Sequence, residues 1–226
     1  MNGHPNGVPR GPTFSAFPVQ HQGFTTRQQG FGNAAPLGFS GFALTTFVMA
    51  LINLCGSIPN VIVGPALAYG GLAQLLAGMW DMASGNTVAA TISASYGCFW
   101  LSFAIMLIPG FGISQAYPTT AELNHAIGFF IIGFFLFSIA ITLCSLKSNA
   151  PTLALCLFVN VTFLTSGVAH FVTGTAGQPN AVATKISGAA GLVASLIAWY
   201  IMYTELANRS NRYVRCVSTV LMASPD

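Results

Sequence analysis

Residues 125–145 read HAIGFFIIGFFLFSIAITLCS, an apolar run without one Asp, Glu, Lys or Arg. Its apolar residues do not alternate with polar ones, which excludes a barrel strand. Its length matches the roughly 20 residues that a helix needs to cross a bilayer. Runs of the same kind recur at 36–55, 61–82, 91–109, 152–173 and 186–204. Polar breaks separate them: GSIPN, SGNT, PGFGISQAYPTTAELN, KSNAP and TAGQPNAVATK. The pattern predicts an all-α polytopic membrane protein of six transmembrane helices.

Composition agrees. Charged residues make up 5% of the chain and hydrophobic ones 54%, with a mean hydropathy of +0.69. A soluble domain carries roughly 25% charged residues. So little charge cannot solvate a surface in water, so the outer surface faces lipid and a soluble enzyme is excluded. A net charge of +3 without a basic cluster gives no footing for nucleic acid. The five cysteines form no CxxC pair and read as small buried hydrophobes, and neither a metal nor a cofactor is expected.

Residues 1–32 are rich in Gly, Pro, Gln and Asn and lack the apolar stretch of a signal peptide. They read as a disordered N-terminal tail, followed by a transmembrane domain over 33–206 and a second tail over 207–226. With six spans, both tails share a side with the loops after spans 2 and 4. That side holds Arg10, Arg27, Lys147, Arg209, Arg212 and Arg215, against Lys185 alone on the other. The positive-inside rule then places both termini in the cytoplasm.

Lipid does not push helices together, so close contact in a membrane needs small residues. Span 6 has Ser187, Gly191 and Ser195 at four-residue spacing; span 2 has Gly64, Ala68, Gly70, Gly71, Ala73, Ala77 and Gly78. They suit tight packing or a narrow pore wall. Ionisable residues are nearly absent from the runs. Asp81, Glu122, Glu205 and His125 fall at span ends, and His170 is the best candidate for a titrating group inside. Neutral polar residues are commoner: Thr45, Thr46, Gln74, Ser93, Ser95, Tyr96, Ser102, Asn160, Thr162, Thr165 and Ser166. Each can satisfy a backbone group or a neighbouring helix, and together they suit a weakly polar path. Pro36 fits the first turn of span 1, whose free N–H groups suit either an ordinary cap or a carboxylate. From the residues alone, the reading is a neutral bundle that passes a small solute or serves as a scaffold.

Three segments carry a resemblance. NAAPLGFSGFALTTF (33–47), YGGLAQLLAGMWDMASGNT (69–87) and SYGCFWLSFA (95–104) resemble the acetate uptake transporter family, which comprises fungal acetate permeases and bacterial acetate–succinate permeases. The likeness runs over about residues 30–205. The polar tail and ELNHAIGFF (122–130) are closer to the fungal members. In the family signature, a proline usually stands where this chain has Ala34.

The resemblance implies a hexamer of six-helix protomers in the plasma membrane, each carrying acetate and similar short carboxylates, by proton symport or as an anion channel. It implies a constriction of Phe42, Tyr96 and, with Val replacing the family's Leu, Val161. It makes Asn33, Pro36, Leu37, Gly38, Thr45, Thr46, Gln74, Asn86 and Thr87 candidates for contact with the substrate. Fungal relatives raise ammonium export, and the Ser- and Thr-containing tail raises a signalling role without transport. An apolar constriction solvates a carboxylate anion poorly and the neutral acid far better. With a pKa of roughly 4, a carboxylic acid is partly neutral in an acidic medium. Uptake with a proton therefore requires no buried coupling carboxylate.

Overall fold

Polar side chains, rather than the onset of apolarity, start four of the helices. In the computed structural model, which describes residues 32–207, Asn86, Thr119, Asn149 and Asn180 accept hydrogen bonds from Ala89, Glu122, Thr152 and Ala183 N–H at 2.9–3.2 Å. Each occupies the N-cap, where a side-chain oxygen satisfies an otherwise unpaired donor. The helices therefore begin before the apolar runs do. They are α1 (Ala35–Cys55), α2 (Val63–Leu67), α3 (Gln74–Ala83), α4 (Thr87–Leu107), α5 (Thr120–Cys144), α6 (Ala150–Phe171) and α7 (Ala181–Leu206). Glu122, expected just before span 4, consequently lies in the first turn of α5, and Glu205, expected just after span 6, lies in the last turn of α7.

Six of these stretches are long and apolar enough to cross a membrane, α2 and α3 counting as one over Pro59–Ala83, and no strand occurs among the described residues. That second span is not the even helix its hydropathy suggests. It opens with a 3₁₀ turn at Pro59–Ile62 and passes through a π-helical segment at Ala68–Ala73 between α2 and α3. Pro65 removes one donor from the helical ladder, and Gly70–Gly71 give the least resistant backbone to the wider register.

Neighbouring helices follow one another around a circle: span 3, span 2, α1, α7, α6 and α5. The seams of the first part are made of glycine. A methyl group on Gly78 would sit 2.5 Å from Ala94 N, and one on Gly97 2.7 Å from Leu75 N. Gly41 lies against the Tyr69 carbonyl, Gly70 against Thr45, and Gly188 against the Ala50 carbonyl. On α7, Ser187 and Ser195 are fully buried, and the Ser187 hydroxyl donates to Thr162 O of α6 at 3.0 Å. Most of the small residues read from spans 2 and 6 thus pack helices, the exceptions being Gly64, which meets nothing within 4 Å, and Ala68, which is exposed. The last gap, between α4 and α5, is bridged by aromatic rings instead. Phe99 of α4 packs on Phe130 and Phe134 of α5 at centroid distances of 5.4 and 4.9 Å.

Outward, α5 shows a stripe of Phe129, Leu136 and Leu143, each more than 60% exposed. Seven-residue spacing puts them on one face, and in a membrane that face meets lipid. The tails, with Arg10, Arg27, Arg209, Arg212, Arg215, His4, His21 and Cys216, lie outside the described residues.

Candidate functional site

Inside the circle of helices, the ring of Tyr96 is a hub. It projects from α4, is 6% exposed, and meets one aromatic ring from each of three other helices. Phe42 of α1 is tilted against it at 6.0 Å, Phe137 of α5 meets it edge-on at 5.7 Å, and Phe163 of α6 stacks nearly parallel at 6.1 Å. The Tyr96 hydroxyl donates to Ser138 Oγ on α5 at 3.1 Å. No Asp, Glu, Lys, Arg or His belongs to this collar. It is an apolar plug with one tethered oxygen.

Two of the three residues expected at a constriction are therefore together, Phe42 and Tyr96. Val161 does not join them, being 43% exposed. Residues 161 and 163 are about 200° apart on a helix, so only one of them can face inward. The buried stripe of α6 runs Leu155, Val159, Phe163 and Gly167, a strict four-residue spacing that selects Phe163. That stripe was legible in the sequence and would have found Phe163. Nothing comparable marks Ser138.

The other candidates fall into two groups. Thr45, Thr46 and Gln74 are buried where α1 meets the second span. Thr45 Oγ1 is 3.5 Å from Pro65 O, while Thr46 Oγ1 and Gln74 Oε1 are buried without a hydrogen-bond partner. Unpaired buried oxygens are uncommon because desolvation costs about 1–3 kcal/mol each. They are therefore free to receive a donor. Toward the start of α1, Pro36 and Gly38 are buried and Leu37 is 46% exposed. Gly38 lies against Ser93 of α4. Asn33 bonds Glu205 Oε2 at 3.0 Å through Nδ2 and receives Ala35 N–H at 3.1 Å on Oδ1, so it ties α1 to α7. Asp81 is 5% exposed, with Oδ2 unpartnered. Asn86 N–H donates to Asp81 O at 2.9 Å, and with its side chain capping α4, Asn86 fixes the SGNT turn. Thr87 is exposed and its carbonyl accepts from Thr91 Oγ1 at 2.8 Å.

His170 stands apart from the collar, in the last turn of α6, with Nδ1 bonded to Ser166 O at 2.8 Å. Among the described residues, no group of His, Cys, Asp and Glu could hold a metal. An open groove of about 600 Å³ lies between α4 and α5, lined by Ser95, Cys98, Phe129, Phe130 and Phe134 among others. Its apolar lining and the exposure of Cys98 and Phe129 place it on the lipid-facing side of the rings that bridge the two helices; Cys55, Cys98 and Cys144 are thus exposed, not buried as their apolar settings predict.

Known proteins resemble this chain in sequence and fold. Residues 17–223 match the GPR1/FUN34/yaaH family. Ammonia transport outward protein 2 of Saccharomyces cerevisiae is 44% identical over 188 residues, covering 81% of this chain and 64% of that protein. Acetate permease A of Emericella nidulans is 44% identical over 192 residues, covering 81% of this chain and 64% of the permease. The chain thus spans less than two thirds of the length of these relatives. The structure of the bacterial acetate channel SatP superposes with a TM-score of 0.71 at 27% identity, over 80% of this chain and 96% of that one.

Proposed function

The chain belongs to the GPR1/FUN34/yaaH family, and from that premise we propose that it carries acetate and related short monocarboxylates across the plasma membrane, together with a proton, along a path inside each protomer of a hexamer. The observation that carries this reading is the collar: four aromatic rings from α1, α4, α5 and α6 meeting without an ionised side chain. Phe42 and Tyr96 act as the constriction, and Phe163 takes the third place.

The collar's chemistry sets what passes. An apolar ring offers a carboxylate anion nothing in place of its water shell, whereas the neutral acid sheds its charge before entry. Carrying an unpaired negative charge inward against about 100 mV, inside negative, costs roughly 2.3 kcal/mol. Both effects favour acid and proton moving together. Thr45, Thr46 and Gln74 supply polar oxygens beside the apolar stretch, and the unpartnered Thr46 Oγ1 and Gln74 Oε1 are placed to accept from a protonated acid. Asn33, Pro36, Leu37 and Gly38 form the approach, and Asn86 holds the turn that leads into Thr87. His170, bonded to its own helix, takes no step on this route. Both termini are cytoplasmic: Lys147 follows α5 and Lys185 lies near the start of α7, at opposite ends of the bundle, in keeping with the split of basic residues.

Uptake of labelled acetate by cells with and without the protein, across external pH, tests the proposal. Protein-dependent uptake should rise as the medium is acidified from neutral toward the pKa of the acid. Uptake equal to that of empty cells at every pH refutes it. A passive acetate and succinate channel would instead give large unitary anion currents in bilayers that ignore a pH gradient. Ammonium export is a second reading, because the relative named for ammonia is as similar as the acetate permease. Ammonium release, measured in the same cells, separates it.

A further inference from the structure

A ladder of hydrogen bonds outside the collar ends on the Tyr96 hydroxyl. Tyr96 Oη donates to Ser138 Oγ at 3.1 Å, and both residues are buried, at 6% and 1% exposure. The Ser138 carbonyl accepts from Thr142 Oγ1 at 2.8 Å, one turn along α5. Thr142 Oγ1 in turn accepts from Asn160 Nδ2 of α6 at 2.7 Å. Three helices are thus joined through neutral groups. No other hydrogen bond to the Tyr96 hydroxyl occurs among the described residues.

We infer that Ser138 is a positioning residue for the collar: by holding the Tyr96 hydroxyl against α5, it makes the ring, and not the O–H, border the path. This rests on the collar being the constriction of a carboxylate path. A phenol released toward that path would act differently. Its O–H would donate to the carbonyl oxygen of the passing acid, a bond that the ring face cannot offer. The site would then hold oxygen-rich acids instead of sorting them by width. The ring would also lose its polar tether and be held by packing alone, that against Phe42, Phe137 and Phe163 included. Ser138 thereby keeps Tyr96 a spacer. Thr142 and Asn160 hold the Ser138 turn of α5 in register with α6.

The test is a double-mutant cycle read on selectivity. The ratio of lactate to acetate uptake, per molecule of surface protein, is measured for wild type, Ser138→Ala, Tyr96→Phe and the double variant. Ser138→Ala should raise the ratio roughly 2- to 10-fold, the range that one hydrogen bond commands. In the Tyr96→Phe background, with no hydroxyl to release, the same substitution should leave the ratio unchanged. A ratio unmoved by Ser138→Ala, or moved equally in both backgrounds, overturns the inference, since a merely structural serine would lower abundance without depending on Tyr96. If Ser138→Ala does not reach the surface, the tyrosine Raman doublet of purified protein decides, as a difference between wild type and Tyr96→Phe. A donating hydroxyl supports the inference, and a hydroxyl that donates to nothing overturns it. Absence of acetate uptake by the wild type would sink the transport reading alone, and the Raman measurement would still judge the Tyr96–Ser138 bond.

Discussion

The two sides of α4 are packed by opposite means. Toward α3, Gly78 and Gly97 let backbones touch, so close that a single methyl group would sit 2.5–2.7 Å from a main-chain nitrogen. Toward α5, Phe99, Phe130, Phe134 and the Tyr96–Phe137 pair stand between the helices as rings. Small residues fix position because backbone has nowhere to move. Rings stand between the helices, so the spacing there depends on side chains. On the proposed function, the glycine side works as scaffold and the aromatic side as the part that sorts solutes, and substitutions on the two sides should fail differently.

The largest effect is expected on the glycine side. Gly78→Val would drive Cβ to 2.5 Å from Ala94 N and 2.9 Å from Ala90 O, and neither backbone atom can step aside. Overpacking costs about 1–3 kcal/mol even where side chains yield. Surface protein should be lost, and normal abundance by surface labelling would break the contrast. Next comes Gln74→Leu, which replaces a 3% exposed amide by an apolar side chain of similar size. Because its Oε1 is unpartnered, abundance should hold. If the amide meets substrate, uptake of labelled acetate per molecule should fall several-fold, and unchanged uptake would make Gln74 a packing residue.

A smaller loss is expected at the turn between α3 and α4. Asn86→Ala removes the cap on Ala89 N–H, worth about 1 kcal/mol, and should lower the melting temperature in detergent without altering selectivity. A changed lactate-to-acetate ratio would move Asn86 from the scaffold to the path. The smallest effect belongs to Val161→Ala, at a position 43% exposed on α6, with a stability change within about 0.5 kcal/mol and an unaltered ratio. A clear selectivity shift there would return Val161 to the constriction.

The scaffold was the more legible side in the sequence. Six uninterrupted apolar runs and small residues at four-residue spacing report helix and contact directly, because both depend on local order along one chain. Hydropathy places helix starts late, since Asn86, Thr119 and Asn180 begin their helices in segments that it treats as loop. The π segment at Ala68–Ala73 was missed because its cause, a proline and paired glycines inside an apolar run, leaves mean hydropathy unchanged. At the collar, resemblance to a family signature pointed to Phe42 and Tyr96, whose rings meet at 6.0 Å. It pointed to Val161 where helical phase selects Phe163. Ser138 was invisible for a different reason: its partner Tyr96 is 42 residues away, and no local pattern announces a hydrogen bond between helices.

The central claim is that the Phe42, Tyr96 and Phe163 rings set the width of a carboxylic-acid path. Its most direct test is the ratio of lactate to acetate uptake per molecule of surface protein in Phe42→Ala and Phe163→Ala, with Val161→Ala as the comparison. At a site of ordinary packing, Phe→Ala would cost about 3–5 kcal/mol and remove protein and uptake together. At a constriction, surface protein should largely hold in the two Phe variants and the ratio should rise, while Val161→Ala keeps the wild-type value. A wild-type ratio in both Phe variants, at measurable surface protein, would contradict the claim.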